Sequence, residues 1–183
     1  MINRDHLMLL TRLLTPNAEI SKSDVELLSQ ESCYLGIIKV ANEFWLIAEL
    51  VHQFKTKGLW QNLPTLLIDY LDEIDRIYQI RCQHLLEQIS ACSRLLVNEN
   101  IQVLALKGAA SIVNGSYDNT SSRYMADIDL LILPEQVQRA QQVLMQHGYQ
   151  PFSQAFDILP HEHHHLPPLI SAHSQVSVEI HHA

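Results

Sequence analysis

Positive charge is scarce in this sequence: 12 Lys and Arg stand against 20 Asp and Glu in 183 residues, a formal charge of −8 with His neutral. Duplex nucleic acid is gripped through its phosphates and requires a basic face. The balance therefore argues against a duplex partner, while leaving room for a local basic pocket that takes one nucleotide. Cysteine is also sparse. Cys33, Cys82 and Cys92 are odd in number and form no CxxC pair, which points away from a disulfide framework or a thiolate zinc site and predicts buried free thiols in a reducing cytosol. Long apolar runs are missing too, since none approaches the roughly 20 residues of a membrane span. The first 16 residues interrupt their apolar pattern with Arg4, Asp5, His6 and Arg12, as an amphipathic helix does and a signal peptide does not. A soluble, cytoplasmic protein with no membrane partner is expected.

With 47% hydrophobic and 17% charged residues, five Gly and seven Pro, the composition is that of a folded chain. Its length suits one domain, or a catalytic domain with a helical extension. Up to about Asn98 the pattern is helix after helix. Leu7, Leu10, Leu13 and Leu14 recur at helical spacing before Thr15 and Pro16, Ser23 or Asp24 offers a cap for a second helix, and an apolar stripe runs from Leu35 to Phe54 before Lys57-Gly58. Pro64 then opens the longest pattern, with Leu67, Tyr70 or Leu71, Ile74, Ile77 or Tyr78, Leu85, Ile89, Cys92 and Leu96 on one side.

From Ile101 the grammar changes. Ile101 to Leu106 is short, apolar and partly β-branched, which predicts a buried strand ending at Lys107-Gly108, and Ala109 to Val113 suits a short helix. Asp118 to Ser122 has the composition of a loop. Asp127 to Leu133 predicts a central strand ended by Pro134, and Glu135 to His147 a helix closed by Gly148. His163 to Ile170 and Gln175 to His181 then read as two strands joined at Ser171 to Ser174, with Pro167 and Pro168 confining the first to an edge. The expected fold class is α+β: a helical lobe over residues 1–98, then a core with a small mixed sheet over 99–183.

Asp127-x-Asp129 carries the chemistry. Residues two apart on a strand share a face, so both carboxylates converge. Side by side they raise each other's pKa, a cost that a divalent cation removes; hard oxygen ligands suit magnesium or manganese, which take substrate phosphates as further ligands. Upstream, Lys107-Gly108 leads into Ala109-Ala110-Ser111, where backbone amides at a helix start can receive phosphate. Downstream, Val178-Glu179-Ile180-His181 alternates around a single acid that can supply a third carboxylate.

This order of features resembles the nucleotidyltransferase superfamily that includes DNA polymerase β. More closely it resembles the uncharacterised nucleotidyltransferase family of bacterial proteins, through Leu106-Lys107-Gly108, Arg123, Asp127 to Leu131, Gly148-Tyr149, His163 to His165 and Val178 to His181. The resemblance spans about Ile101 to His181. It implies a polymerase-β-like core and transfer of a nucleoside monophosphate from a nucleoside triphosphate such as ATP to an acceptor hydroxyl on a small molecule, sugar or protein, with release of pyrophosphate. Asp127 and Asp129 would hold Mg²⁺ or Mn²⁺, and Glu179 would bind metal or take the acceptor proton. Gly108, Ala109 and the amides after them would cradle the triphosphate, with Lys107 and Arg123 offsetting its charge. Two departures stand out. Ala109 replaces the usual Ser after Gly, so that a hydroxyl contact is lost or moves to Ser111, and His182 replaces an aromatic.

His163, His165 and His181 are candidate phosphate or acceptor contacts. Adjacent His on one strand cannot all point one way, so a dedicated zinc site built from His161, His163, His164, His165, His181 and His182 is the lesser reading. Because the sequence stops directly after the strand of Glu179, a fragment or a naturally short version is expected. The competing function is a noncatalytic nucleotide-binding or partner-binding module of the same fold.

Overall fold

A computed structural model of the chain describes residues 4–117, 119–152, 166–172, 174 and 176–182. Its elements run α1 (Arg4–Leu14), α2 (Lys22–Leu28), α3 (Glu31–Glu43), α4 (Ile47–Thr56), α5 (Thr65–Asn98), β1 (Val103–Ala105), α6 (Lys107–Val113), β2 (Asp127–Ile132), α7 (Val137–Gln146), β3 (Tyr149–Pro151), β4 (Leu169–Ser171) and β5 (Ser177–His181). Helices first and a mixed sheet after them make the fold α+β. Among the described residues no helix is long and apolar enough to cross a membrane. The chain divides into two units, residues 1–81 with 119–124, and 82–118 with 125–183. The division falls inside α5, whereas the sequence pattern draws its line after Asn98.

In the first unit Leu9, Leu10, Leu13, Leu28, Ile37, Leu50, Phe54 and Leu71 are buried in one apolar cluster. Leu7 is exposed, so the buried stripe of α1 is rotated toward Leu9. The second helix is capped by Ser21 rather than by Ser23 or Asp24. Ser21 accepts from the Asp24 amide, and the Asp24 carboxylate accepts in return from the Ser21 amide, a reciprocal capping box. Asp24 also accepts from the Arg12 guanidinium.

The single stripe read from Leu35 to Phe54 is two helices. α3 ends where Trp45 takes a left-handed φ of 57°, the Leu46 amide reaching back to the Ala41 carbonyl and the Trp45 amide to Asn42. This is a Schellman stop with Trp where Gly is usual. A bulky residue there is strained, and the Trp45 ring is held stacked on Tyr124 at 4.3 Å, with Arg81 over the other ring at 4.9 Å from its centroid.

The second unit holds a five-stranded sheet in the order β1-β2-β5-β4-β3. β2 runs parallel to β5; the other pairings are antiparallel. Alternation sorts its two inner strands. Ile128, Leu130 and Ile132 of β2 and Val178 and Ile180 of β5 face the core, where they meet Leu85, Ile89, Cys92 and Leu96 of α5 and Val137, Ala140 and Leu144 of α7. Gly148, at φ 88°, closes α7 and turns the chain into β3.

Two strand expectations change. The Ile101–Leu106 run yields only a three-residue edge strand, and its Leu104 is 60% exposed because it lies opposite Leu131 on the face turned away from the core. Conversely, β4 lies inside the sheet although Pro167 and Pro168 precede it. Both prolines sit before the ladder, so no paired amide is lost, and the Pro168 carbonyl accepts from the Phe152 amide. The three thiols are free; Cys33 and Cys92 are buried and Cys82 is half-buried. Burial pushes the Cys92 thiol up to about 11, and the thiol donates to the Tyr149 hydroxyl at 3.0 Å.

Truncating Leu130, which is fully buried, is expected to cost about 2–5 kcal/mol in denaturant unfolding. Burial raises the Asp24 carboxyl, but the Arg12 guanidinium and the Ser21 amide and hydroxyl outweigh it and hold the pKa below its ordinary value. A carboxyl lowered on folding stabilises above its unfolded pKa of about 3.9, and that contribution is lost as pH falls through the folded value. Asp24→Asn should therefore cost about 1–3 kcal/mol at pH 7, with the gap from the parent narrowing in unfolding curves taken below about pH 4.

Candidate active site

The face of the sheet turned away from that core carries the acids. Along β2 it presents Asp127, Asp129 and Leu131, and along β5 Ser177, Glu179 and His181, since alternate residues share a side. The parallel register pairs Asp127 with Ser177, Asp129 with Glu179, and Leu131 with His181. Glu179 is thus the direct neighbour of Asp129 on the same face. His181, one step farther along, leans back so that its Nε2 lies 2.6 Å from Asp129 Oδ1 and 3.7 Å from Glu179 Oε2.

Among the described residues Asp129, Glu179 and His181 form a cluster whose ligand atoms all lie within 4.8 Å of one another. Asp127 lies on the same face two residues before it, half-buried, and is not one of the clustered ligands. Two carboxylates and one imidazole are a donor set suited to a divalent cation such as magnesium or manganese. A cation already stands in this structure at the cluster: the Lys107 ammonium is 2.7 Å from Asp129 Oδ1.

The backbone brings Lys107 there. The Leu106 amide donates to the Asp129 carbonyl at 3.0 Å, which carries the β1–β2 ladder one residue past β1. Lys107 follows at φ 46°, in the left-handed region, and opens α6. The strand was expected to run to Lys107-Gly108; it stops at Ala105, and Lys107 is the first residue of the helix. The neighbouring Asp129 carboxylate raises the Lys107 pKa above its ordinary value, and the charges of Asp127 and Glu179 add to it.

The remaining candidates divide clearly. Gly108 and Ala109 are buried in α6, with Ala109 in the core. The Ser111 hydroxyl donates to the Lys107 carbonyl at 3.0 Å, a bond within its own helix. Arg123 is exposed, follows the Thr120–Ser122 turn and groups with the first unit. His163 and His165, like His161 and His164, lie outside the described residues. An apolar hollow of about 280 Å³ lined by Leu104, Leu131, Leu133 and Pro134 lies at the opposite end of β1 and β2 and has no charged lining residue.

What sequence reasoning missed is the pairing of Lys107 with Asp129. The spacing of 22 residues holds no sign of it, and the left-handed φ of Lys107 that accompanies it has no marker in the sequence. No match is found among curated proteins or among solved structures. The family model described as uncharacterised nucleotidyltransferase, however, matches residues 35–183, which takes in both strands of the acidic face, and the chain belongs to that family.

Proposed function

We propose that the protein transfers a nucleoside monophosphate from a nucleoside triphosphate to an acceptor hydroxyl and releases pyrophosphate, in a reaction that needs Mg²⁺ or Mn²⁺. The observation that carries this reading is the meeting of Asp129, Glu179 and His181 on neighbouring parallel strands, with Asp127 on the same face. Family membership supplies the reaction class.

Asp129, Glu179 and Asp127 would hold the divalent cation, with His181 orienting the Asp129 carboxylate or adding a ligand. When bound, such a cation lowers the charge on the phosphates and favours an attacking alkoxide. The acceptor oxygen attacks the α-phosphorus, the bond from that phosphorus to the bridging oxygen breaks, and pyrophosphate leaves with the electron pair. Glu179, half-buried beside His181, would take the acceptor proton in place of binding the cation. Lys107 is assigned to the charge of the triphosphate, and the amides of Gly108 and Ala109 with the Ser111 turn to its oxygens. His181, beside Asp129, is assigned as a further phosphate or acceptor contact. A sugar, a small molecule or a protein side chain can each present the acceptor hydroxyl.

Incubation with α-labelled triphosphates, Mg²⁺ or Mn²⁺ and pooled acceptors is expected to give labelled product in the parent, reduced on the order of 100-fold or more by Asp129→Asn and by Glu179→Gln. His181→Gln should weaken metal affinity by about 10–100-fold. Parent protein that binds metal-nucleotide yet transfers nothing to any acceptor would identify a binding module instead. Unchanged metal-nucleotide binding in both Asp127→Ala and Asp129→Ala would refute the site itself.

A further inference from the structure

Three features of Lys107 are unusual together. Its ammonium sits 2.7 Å from Asp129 Oδ1, on the same oxygen that His181 Nε2 approaches at 2.6 Å. The Asp129 side chain is only 3% exposed, whereas that of Lys107 is 60% exposed. And a left-handed φ of 46° at a lysine is strained, of the kind found where surrounding structure over-determines the backbone. The Leu106 amide, bonded to the Asp129 carbonyl, supplies that determination.

A buried carboxylate stripped of water requires a positive partner. His181 supplies one only when protonated, so Lys107 is the permanent cation of the cluster, and it reaches in from solvent on a flexible stem. A lysine ammonium is a compact charge with no fixed fork geometry, and it can be exchanged for another cation without rearranging the backbone. The charges of Asp127 and Glu179 act on it as well. Lys107 and His181 together already engage the two lone pairs of Asp129 Oδ1, so a divalent ion bound through that oxygen must displace one of them.

We infer that Lys107 is a built-in counter-ion of Asp129, displaced when a divalent cation arrives bound to a nucleoside triphosphate, and that the freed ammonium then binds the phosphates. The inference rests on the reading that Asp129 holds that cation. It follows that the site resists bare metal and accepts metal and triphosphate together. Bare Mg²⁺ must break the Lys107–Asp129 ion pair without offering the ammonium another anion, whereas the metal complex brings phosphates for it.

The test is a Mn²⁺ titration of the full chain, reading free Mn²⁺ by electron paramagnetic resonance, alone and with α,β-methylene-ATP. Lys107→Met removes the ammonium. Lys107→Gly removes it while relieving the left-handed φ, so that folding is kept if the Met variant is unstable. Removing the counter-ion is expected to tighten bare Mn²⁺ binding at least about tenfold and to weaken binding of the Mn²⁺-analogue complex about tenfold, two changes of opposite sign. Mn²⁺ alone should also raise the thermal midpoint of Lys107→Gly more than that of the parent.

Equal bare-metal affinity in the parent and both variants, with Asp129→Asn losing the metal, would overturn the counter-ion while sparing the metal site. Weaker binding in both titrations would likewise overturn it, since a purely supporting role for Lys107 predicts that pattern. If the parent takes up no Mn²⁺ even with the analogue, the functional reading falls and this inference falls with it.

Discussion

The parallel pairing of β2 with β5 is the constraint on which the candidate site depends. Its register sets Asp129 opposite Glu179, and the two-residue period of each strand then decides everything else on that face. A slip of one residue would turn Glu179 toward the core and bring Val178 to the acids. The apolar side prevents that slip, because Ile128, Leu130, Val178 and Ile180 are all buried and have no tolerance for a polar replacement. Core packing and ligand placement are thus two faces of one register. The same alternation that stabilises the sheet aims its carboxylates.

A second layer of placement comes from β1. As an edge strand of three residues it contributes little burial, yet its ladder extends through Leu106 and delivers Lys107 to Asp129. The acidic face is therefore closed from one side by β5 and from the other by the β1–α6 junction. That arrangement gives the Lys of the Lys-Gly pair its place: it meets the acid at the strand end, and Gly108 after it is buried in the first turn of α6.

Much of this was legible in the sequence, and for a simple reason. Period-two patterning is local, so the shared face of Asp127 and Asp129, the inward set Ile128, Leu130 and Ile132, and the alternation around Glu179 could all be read from consecutive residues; that the cluster forms around Asp129 without Asp127 could not. The break between α3 and α4 was not legible, because a left-handed stop at Trp45 carries no Gly, Asn or Pro to mark it; the ring stacking that accompanies it comes from Tyr124, far away in sequence. The interior position of β4 was hidden by Pro167 and Pro168, which count against an inner strand only when they fall within the ladder. The Lys107–Asp129 pair was out of reach for a third reason: it depends on a backbone angle, and composition at a lysine gives no hint of positive φ.

The two strands that make the acidic face are about fifty residues apart, Asp127 facing Ser177 and Leu131 facing His181. The Lys107–Asp129 contact closes a loop of 22 residues, whereas the Asp129–Glu179 pairing closes one of fifty. Joining the glutamate to the cluster therefore costs the chain more loop-closure entropy than joining the lysine does, and the larger share of that cost is borne by the buried apolar residues of β2 and β5 rather than by the acids themselves.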